Sequence, residues 1–189
     1  MLFQHWQPVW DEAIQLATER VWEEGLLSKG GSICHGIPGN AWPLLLLHDS
    51  FEYGKERSRR AKQNYNERSH TESITNVEDG LTGDYFLSRA LAFLLHARKT
   101  RPYSRSHKSS PNQYRMPDRP YSLFEGLAGT ICAWSEACVI IEARLREMKL
   151  DEKGASYSTT LEDDEIFAQL LQRRLGFPGL GGVGPNGVF

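Results

Sequence analysis

A cysteine and a histidine stand side by side in a glycine-rich segment near the N-terminus, in the run KGGSICHGIPG. Cys34 and His35 are both good zinc ligands, and a helix that starts just after them would favour the thiolate of Cys34. A zinc site needs at least one more protein ligand, and Cys34 is the first cysteine of the sequence. The dipeptide alone leaves two interpretations open: a metal site, or a buried cysteine beside a hydrogen-bonded histidine.

Charged residues also stand in two runs that are far apart in the sequence. Lys29 lies five residues before Cys34, and Arg115 opens the run RMPDRP. Both are cations that suit carboxylates, and Arg115 can form bidentate hydrogen bonds with one. Asp118, in the same run as Arg115, suits either an ammonium group or the capping of a turn. From the residues alone, Lys29 is more simply a solvated loop lysine.

The apolar pattern predicts five helices and no convincing strand. The first is predicted over residues 8–24 and the second from Asn40, with Pro43 in its first turn; the second is apolar all round and therefore predicted to be buried. A third is predicted over about 84–98, a long fourth ending near Met148, and a fifth over 161–175 with Thr160 as its N-cap and Gly176 past its end. The predicted apolar face of the first helix contains Val9, Ala13, Leu16, Ala17 and Val21.

Two segments interrupt this pattern. Residues 54–83 are highly charged without periodicity, which predicts a mobile surface insertion, and the tail 176–189 is glycine-rich and predicted to be irregular. The insertion contains a basic cluster, which is more often a solvated surface than a site for acidic lipid or RNA. The cluster consists of Arg57, Arg59, Arg60 and Lys62.

An internal repeat links the runs CHGIPGNAWPLLLL and FEGLAGTICAWSEA, because each has a Gly-x-x-Gly turn that leads into a buried helix. Such a repeat predicts helical hairpins in an inner and an outer layer. Glu125 then corresponds to His35. It is predicted to accept hydrogen bonds from backbone N–H groups at the rim, where the buried helices begin. Asn40 and Thr130 are predicted to be helix-start residues.

Composition bounds the class of protein. The chain has 189 residues, 40% of them hydrophobic, and a net charge of −2, which suits one soluble globular domain without a general attraction for nucleic acid. It has no apolar run long enough for a membrane span and no signal peptide at its N-terminus. Its three cysteines do not form a disulfide scaffold, which predicts a reducing, cytoplasmic location.

Together, the runs KGGSICHGIPGNA and RMPDRPYSLFEGLAGTIC resemble the C-terminal part of the lanthionine synthetase C-like (LanC-like) family, of the eukaryotic, glutathione-binding type. The resemblance implies an α/α toroid, of which residues 1–189 would form about half. It also implies that Cys34 and His35 are two of three zinc ligands. Lys29 and the run Arg115, Met116, Pro117 and Asp118 would hold glutathione.

For an intact member, the resemblance implies zinc-dependent addition of a thiol to dehydroalanine or dehydrobutyrine in peptides or proteins, with glutathione as the thiol in eukaryotes. The implied partners are therefore glutathione and a dehydrated peptide or protein. The family's first zinc-ligand cysteine lies before this sequence begins, so the chain is expected to be a fragment or a degenerate relative with impaired activity.

Two other functions stay open. The main alternative is a non-catalytic glutathione-binding or signalling scaffold, with peripheral contact to the inner face of the plasma membrane. A toroid glycosidase is a weaker alternative, because Glu125 is the one good acidic candidate at the rim.

Overall fold

The structure is a computed structural model, which describes residues 6–27, 29–69, 81–100, 118–152 and 164–178. Within those ranges every regular element is an α-helix, so the prediction of an all-α fold is confirmed. The helices are α1 (Pro8–Glu24), α2 (Ile37–Glu52), α3 (Lys55–Ser69), α4 (Gly83–Ala97), α5 (Leu127–Glu152) and α6 (Glu165–Gln172).

Helix α1 has the bounds predicted from the sequence, but it turns a partly different side inward. Val9 and Leu16, which belong to the predicted apolar face, are 56% and 64% exposed. The inward side carries the predicted Val21, together with Ile14, which also packs against the core, and the buried Thr18. The Thr18 hydroxyl donates to the Ile14 carbonyl at 2.8 Å, so its burial leaves no hydrogen bond unmade.

Helix α2 lies at the centre of the core and is largely buried, as its apolar sequence predicts. It begins at Ile37, earlier than the predicted start at Asn40, so the proline in its first turn is Pro38 and not Pro43. Pro43 lies inside the helix and has no N–H to donate to the carbonyl of Gly39. Its ring is exposed, which avoids a clash with the core.

Helix α4 packs along α2, and these two helices enclose most of the core. Its N-cap is Thr82, whose hydroxyl oxygen accepts a hydrogen bond from the backbone N–H of Tyr85 at 3.1 Å. On the other side of α2, the fully buried Trp42 meets Phe177 edge-on, with ring centroids 5.2 Å apart. Other buried members of this core are Ile33, Ile37, Leu44, Leu45, Phe86, Ala90, Phe93, Leu94, Ala133, Ala137 and Ile140.

Helix α3 corrects the prediction of an irregular insertion over 54–83, since residues 55–69 are helical. Ion pairs along its solvent side stabilise it: Glu56 accepts hydrogen bonds from Arg59 at 2.8 Å and Arg60 at 3.0 Å, three and four residues away. Apolar periodicity does not reveal a helix of this kind, because most of its surface faces water. Residues 70–80 of the predicted insertion lie outside the described ranges.

Helix α3 is attached to the N-terminal part of the chain. Ala61 is 3% exposed, and Lys62 forms an ion pair with Asp11 of α1 at 2.7 Å. Tyr65 meets Trp6 edge-on, with ring centroids 5.6 Å apart. The described cations of the basic cluster are therefore engaged within the fold, which favours the interpretation as a solvated surface.

Helix α5 runs slightly beyond its predicted end at Met148, to Glu152. One of its sides packs against α2 and α4, and the opposite side carries exposed apolar residues. Ile131, Leu145 and Met148 on that side are 48%, 49% and 47% exposed. We call this side the α5 outer stripe.

Helix α6 is shorter than the predicted helix over 161–175. Its N-cap is Asp164, whose carboxylate accepts from the backbone N–H of Phe167 at 2.7 Å, and the predicted cap Thr160 lies outside the described residues. Gly176 follows the helix with φ of 65°, a conformation that glycine adopts without strain. The rest of the predicted tail, from residue 179, is not among the described residues.

Candidate functional site

Two loops meet at one end of the helices. The Cys34 loop, residues 29–36, leads into α2, and the Glu125 loop, residues 118–126, leads into α5. The carbonyl oxygen of Phe124 accepts hydrogen bonds from the backbone N–H groups of Ile33 at 3.1 Å and Cys34 at 3.0 Å. The Ser32 hydroxyl donates to the same oxygen at 2.9 Å. Three donors on one carbonyl fix the position of the Cys34 loop against its neighbour.

The two loops have the same internal bonding, shifted by ninety residues. The N–H that opens α2 donates to the carbonyl of Gly30 at 2.8 Å, and the N–H that opens α5 donates to that of Pro120 at 2.8 Å. Ser32 Oγ accepts from the N–H groups of Cys34 and His35, as Ser122 Oγ accepts from that of Glu125. The internal repeat predicted from the sequence is therefore confirmed, including the correspondence of His35 with Glu125.

Glycine is required at the same place in both loops. A Cβ on Gly36 would lie 2.4 Å from the carbonyl oxygen of Gly30 and 2.5 Å from the backbone nitrogen of Ser32. A Cβ on Gly126 would lie 2.4 Å from the carbonyl oxygen of Pro120. Backbone atoms cannot move aside as a flexible side chain can, so only glycine lets each turn close this tightly.

The first turns of α2 and α5 are also tied to other loops. The side-chain amide of Asn40 donates to the carbonyl of Gly25 at 2.8 Å, and the Thr130 hydroxyl donates to that of Gly31 at 2.8 Å. Both residues lie in the first turn of their helices, as predicted, and they bridge elements rather than cap them. The carboxylate of Glu125 makes no hydrogen bond to a described residue, so the predicted bond to backbone N–H groups is not found.

Cys34 and His35 lie at the surface of this loop junction. Cys34 is exposed and unpaired, and His35 is half-buried. Both precede the start of α2, where the helix dipole favours negative charge such as that of a thiolate. The alternative of a buried structural cysteine is therefore wrong for Cys34.

Lys29 and Asp118, predicted on separate runs, come together at the same junction. The ammonium of Lys29 lies 3.9 Å from the Asp118 carboxylate, and their side chains are 44% and 85% exposed. An exposed pair at this distance contributes little to stability, about 0–1 kcal/mol, so both groups are free to bind a ligand. The other predicted members of the glutathione site, Arg115, Met116 and Pro117, lie outside the described residues.

The donor set at Cys34 and His35 fits zinc by chemistry but is incomplete in number. A thiolate and an imidazole are two of the ligands that a catalytic zinc takes, and a third protein ligand is needed. Within the described part of the chain, no third histidine, cysteine or carboxylate joins this pair. Cys132 and Cys138 are free cysteines of α5 and do not join this pair.

The structure also places ionisable residues where the sequence analysis predicted apolar surroundings. Arg174 forms an ion pair with Asp49 at 2.6 Å and donates to the fully buried carboxylate of Glu136. The backbone N–H of Leu175 donates to the other Glu136 oxygen at 2.8 Å. Burial raises the pKa of Asp49, although the charge of Arg174 opposes that rise. The signal in the sequence is an acidic residue inside each of two apolar helices.

A second group of charged residues lies at the far end of α2. Arg144 of α5 donates to the Asp84 carboxylate at 2.7 Å and to the fully buried Glu147 at 2.8 Å. The bond from Arg144 holds the pKa of Asp84 below its usual range. Burial raises the pKa of Tyr53, whose ring lies 6.0 Å from that of the buried His48. The spacing of His48 and Glu52, four residues apart on one helix, is the signal in the sequence.

Comparison with known proteins points to the LanC-like family. A profile of the family described as lanthionine synthetase C-like protein matches residues 7–89, which include α1, α2 and the Cys34 loop. The chain is also 31% identical to "Glutathione S-transferase LANCL1" of Danio rerio over 121 residues. Residues 7–89 match the LanC-like family. The all-α fold of the described residues agrees with the α/α toroid of LanC-like proteins, as predicted.

The match with the zebrafish relative is partial. It covers 64% of this chain and 20% of the relative, so the chain spans about a fifth of that protein's length. No solved structure matches the chain. In the described part of this chain, none of the helices has the length and apolar character needed to cross a membrane.

Proposed function

We propose that this chain forms the glutathione-binding rim of a LanC-like glutathione transferase. The observation that carries the proposal is the hydrogen bonding of the Cys34 and Glu125 loops through the Phe124 carbonyl. It brings Lys29 and Asp118 together close to Cys34 in space, although ninety residues separate the two loops in sequence. The printed name of the zebrafish relative, a glutathione S-transferase, supports the same ligand.

The charges at the rim complement the ends of glutathione. At pH 7 the γ-glutamyl end carries an ammonium and a carboxylate on one carbon, and the glycyl end carries a second carboxylate. The Lys29–Asp118 pair offers one charge of each sign for the γ-glutamyl end, with both groups accessible. Arg115 is the proposed partner of the second carboxylate, because its guanidinium can bind a carboxylate with two hydrogen bonds. Met116 and Pro117 would shape the turn that presents it.

We assign binding, rather than the whole addition reaction, to the described residues. In the proposed reaction of the intact enzyme, the glutathione sulfur bonds to the β-carbon of a dehydrated residue and a proton is added at the α-carbon. Cys34 and His35 would supply two zinc ligands, and zinc when bound would favour the thiolate form of glutathione. Thiol addition therefore needs a further ligand beyond the described residues.

A non-catalytic glutathione-binding protein is the second candidate. The incomplete metal set favours it, because the rim can hold glutathione without zinc. For both candidates we propose a cytoplasmic location, with peripheral membrane contact as the alternative. The two differ in whether the purified chain retains zinc.

Calorimetric titration with glutathione under a phosphine reductant tests the binding. We expect the chain to bind glutathione and Lys29→Ala to bind it about fivefold more weakly, the equivalent of ~1 kcal/mol for one exposed ionic contact. Lys149→Ala is the matched control, because Lys149 is exposed in the last turn of α5, away from the loop junction. Equal affinities in the chain and in Lys29→Ala would contradict the proposed site.

Metal analysis of the purified chain beside Cys34→Ser separates the two candidates. Near-stoichiometric zinc that disappears in Cys34→Ser would support the transferase, because it requires a third ligand from the chain or from a second copy. Zinc at the same low level in both proteins would favour the non-catalytic glutathione-binding protein.

A further inference from the structure

A second set of metal-ligand residues lies at the end of α2 opposite the loop junction. One ligand atom each from His48, Glu52 and Asp84 lies within 4.8 Å of the others. His48 and Glu52 are one turn apart on α2, and Asp84 is in the first turn of α4. His48 follows the start of α2 by eleven residues, which puts it about 16 Å along the helix axis from the Cys34 loop.

The imidazole of His48 has no hydrogen-bond partner among the described residues. Its side chain is fully buried, and neither ring nitrogen has a hydrogen-bond partner there. A buried imidazole without a hydrogen bond costs about 1–3 kcal/mol, so such groups are normally paired or bound to a metal. This unpaired side chain is independent of the acidic residues nearby and itself indicates a ligand.

Gly83 leaves open the space between the ligands. A Cβ built on Gly83 would lie 2.4 Å from Glu52 Oε2 and 3.2 Å from His48 Nδ1. Both ligand atoms therefore face the same small volume, which any other side chain at position 83 would enter. Asp84 and Lys55, each 59% exposed, border the volume on its solvent side and give an ion a route in.

Carboxylates and the cations paired with them surround this volume. Glu52, Asp84 and the fully buried Glu147 are three carboxylates, and the described cations paired with them are Arg144 and Lys55. Arg144 donates to both oxygens of Asp84, at 3.0 Å and 2.7 Å, and its Nη1 lies 3.6 Å from Glu52. A carboxylate oxygen has two lone pairs, so each can accept from Arg144 and also bind a metal, as ligating carboxylates commonly do.

We propose that His48, Glu52 and Asp84 bind a first-row divalent cation, with Zn²⁺ as the best match. One imidazole and two carboxylates suit zinc, and a water molecule would complete a tetrahedral set. The ion would join the last turns of α2 to the first turn of α4. This site is distinct from the Cys34–His35 pair and would stabilise the fold rather than take part in thiol addition.

Calorimetric titration with Zn²⁺ tests the site in a chain that carries Cys34→Ser and His35→Gln, so that the first pair cannot contribute. We expect one equivalent of Zn²⁺ to bind and to raise the unfolding temperature. Adding Asp84→Asn or His48→Gln should lower the Zn²⁺ affinity at least tenfold. Glu56→Gln is the matched control, since Glu56 is also paired with arginines but lies on α3, away from His48.

Asp84→Asn keeps the test decisive if His48→Gln fails to fold, because Asp84 is at the surface and circular dichroism can verify the fold of the variant. Co²⁺ gives a second readout: at this site its spectrum should lack the sulfur-to-metal charge-transfer band that a thiolate ligand produces. The absence of Zn²⁺ binding in the Cys34→Ser, His35→Gln chain, or equal binding after Asp84→Asn, would overturn the proposal. Neither result bears on glutathione binding, so the two proposals fail separately.

Discussion

Arg174 holds two buried carboxylates at once. Its own side chain is 4% exposed, and those of Asp49 and Glu136 are 12% and 0% exposed. Removing one member of a buried ionic group leaves the others as uncompensated charges, which is more costly than replacing the whole group by apolar residues. The arginine therefore determines whether α2, α5 and the segment after α6 can pack together.

We expect Arg174→Met to lower the free energy of unfolding by about 3–5 kcal/mol at pH 7, measured by urea denaturation. Burial already raises the pKa of Asp49, and loss of Arg174 removes the charge that opposes the rise. Protonation then favours the folded variant, so its deficit relative to the unmodified chain should shrink as the pH falls from 7 toward 5. The neighbouring, exposed Arg173→Met is the control and should cost less than about 0.5 kcal/mol.

A deficit in Arg174→Met that stays constant between pH 7 and pH 5 would contradict this account of Asp49. A cost as small as that of Arg173→Met would show that the buried group does not hold the helices together.

Local chemistry draws attention to single residues in the sequence. Cys34 and His35 were selected from their types and spacing and Lys29 from the family resemblance, and the structure places Lys29 3.9 Å from Asp118 across two loops. Burial of charge was not predictable in the same way. Asp49 lies in a helix that sequence alone marks as apolar, and its partner Arg174 comes from a segment more than a hundred residues away.

Among the elements, the helix starts are defined by the two tight turns of the repeat. Gly36 and Gly126 occupy corresponding positions, and each would place a Cβ against backbone atoms of its own loop. A larger side chain at either position would therefore displace the whole loop. Because the Cys34 loop is hydrogen-bonded to the Glu125 loop, this displacement would also disturb their junction. Stability and ligand binding should fall together at these positions.

Gly36→Ala is expected to lower the free energy of unfolding by about 2 kcal/mol, in the range of overpacked sites, and to weaken glutathione binding. Gly126→Ala should behave similarly, because its surroundings repeat those of Gly36. Thermal unfolding followed by circular dichroism, together with the glutathione titration, measures both effects. Ser88→Ala, on the exposed surface of α4, is the control for stability. Full stability in Gly36→Ala would show that the loop can yield.

Helices with apolar periodicity were predicted closely, and a helix without it was missed. The bounds of α1 were predicted as observed, since proline and glycine mark its two ends. Helix α3 was missed because ion pairs and contacts with Trp6 and Asp11 stabilise it, and none of these produces an apolar stripe. The inward side of α1 was also mispredicted in part, because Thr18 replaces an apolar residue there.

On the scale of the whole molecule, the α5 outer stripe is an exposed apolar surface of the described residues. Ile131, Leu145 and Met148 recur along one side of a 26-residue helix and are about half exposed. Contiguous exposed apolar surface favours association between molecules. The chain is therefore expected to associate in a concentration-dependent way.

Leu145→Lys should reduce that association, measured by sedimentation velocity over a range of protein concentrations, and leave the helix content unchanged. A charge at the middle of the stripe must be desolvated on association, which opposes contact. Gln63→Lys, which adds the same charge at an exposed position of α3, is the control and should leave the association as in the unmodified chain. Unchanged association in Leu145→Lys would mean that another surface is responsible.

The bond between Ser32 and the Phe124 carbonyl joins residues 92 positions apart, and this separation has a consequence for the order of events during synthesis. Contacts between distant residues form late, because the chain between them must first be brought together. The Cys34 loop is complete in sequence by residue 36, yet its shape depends on a partner that the ribosome makes ninety residues later. We therefore expect the Cys34 loop to remain unformed in a nascent chain that is halted before residue 124.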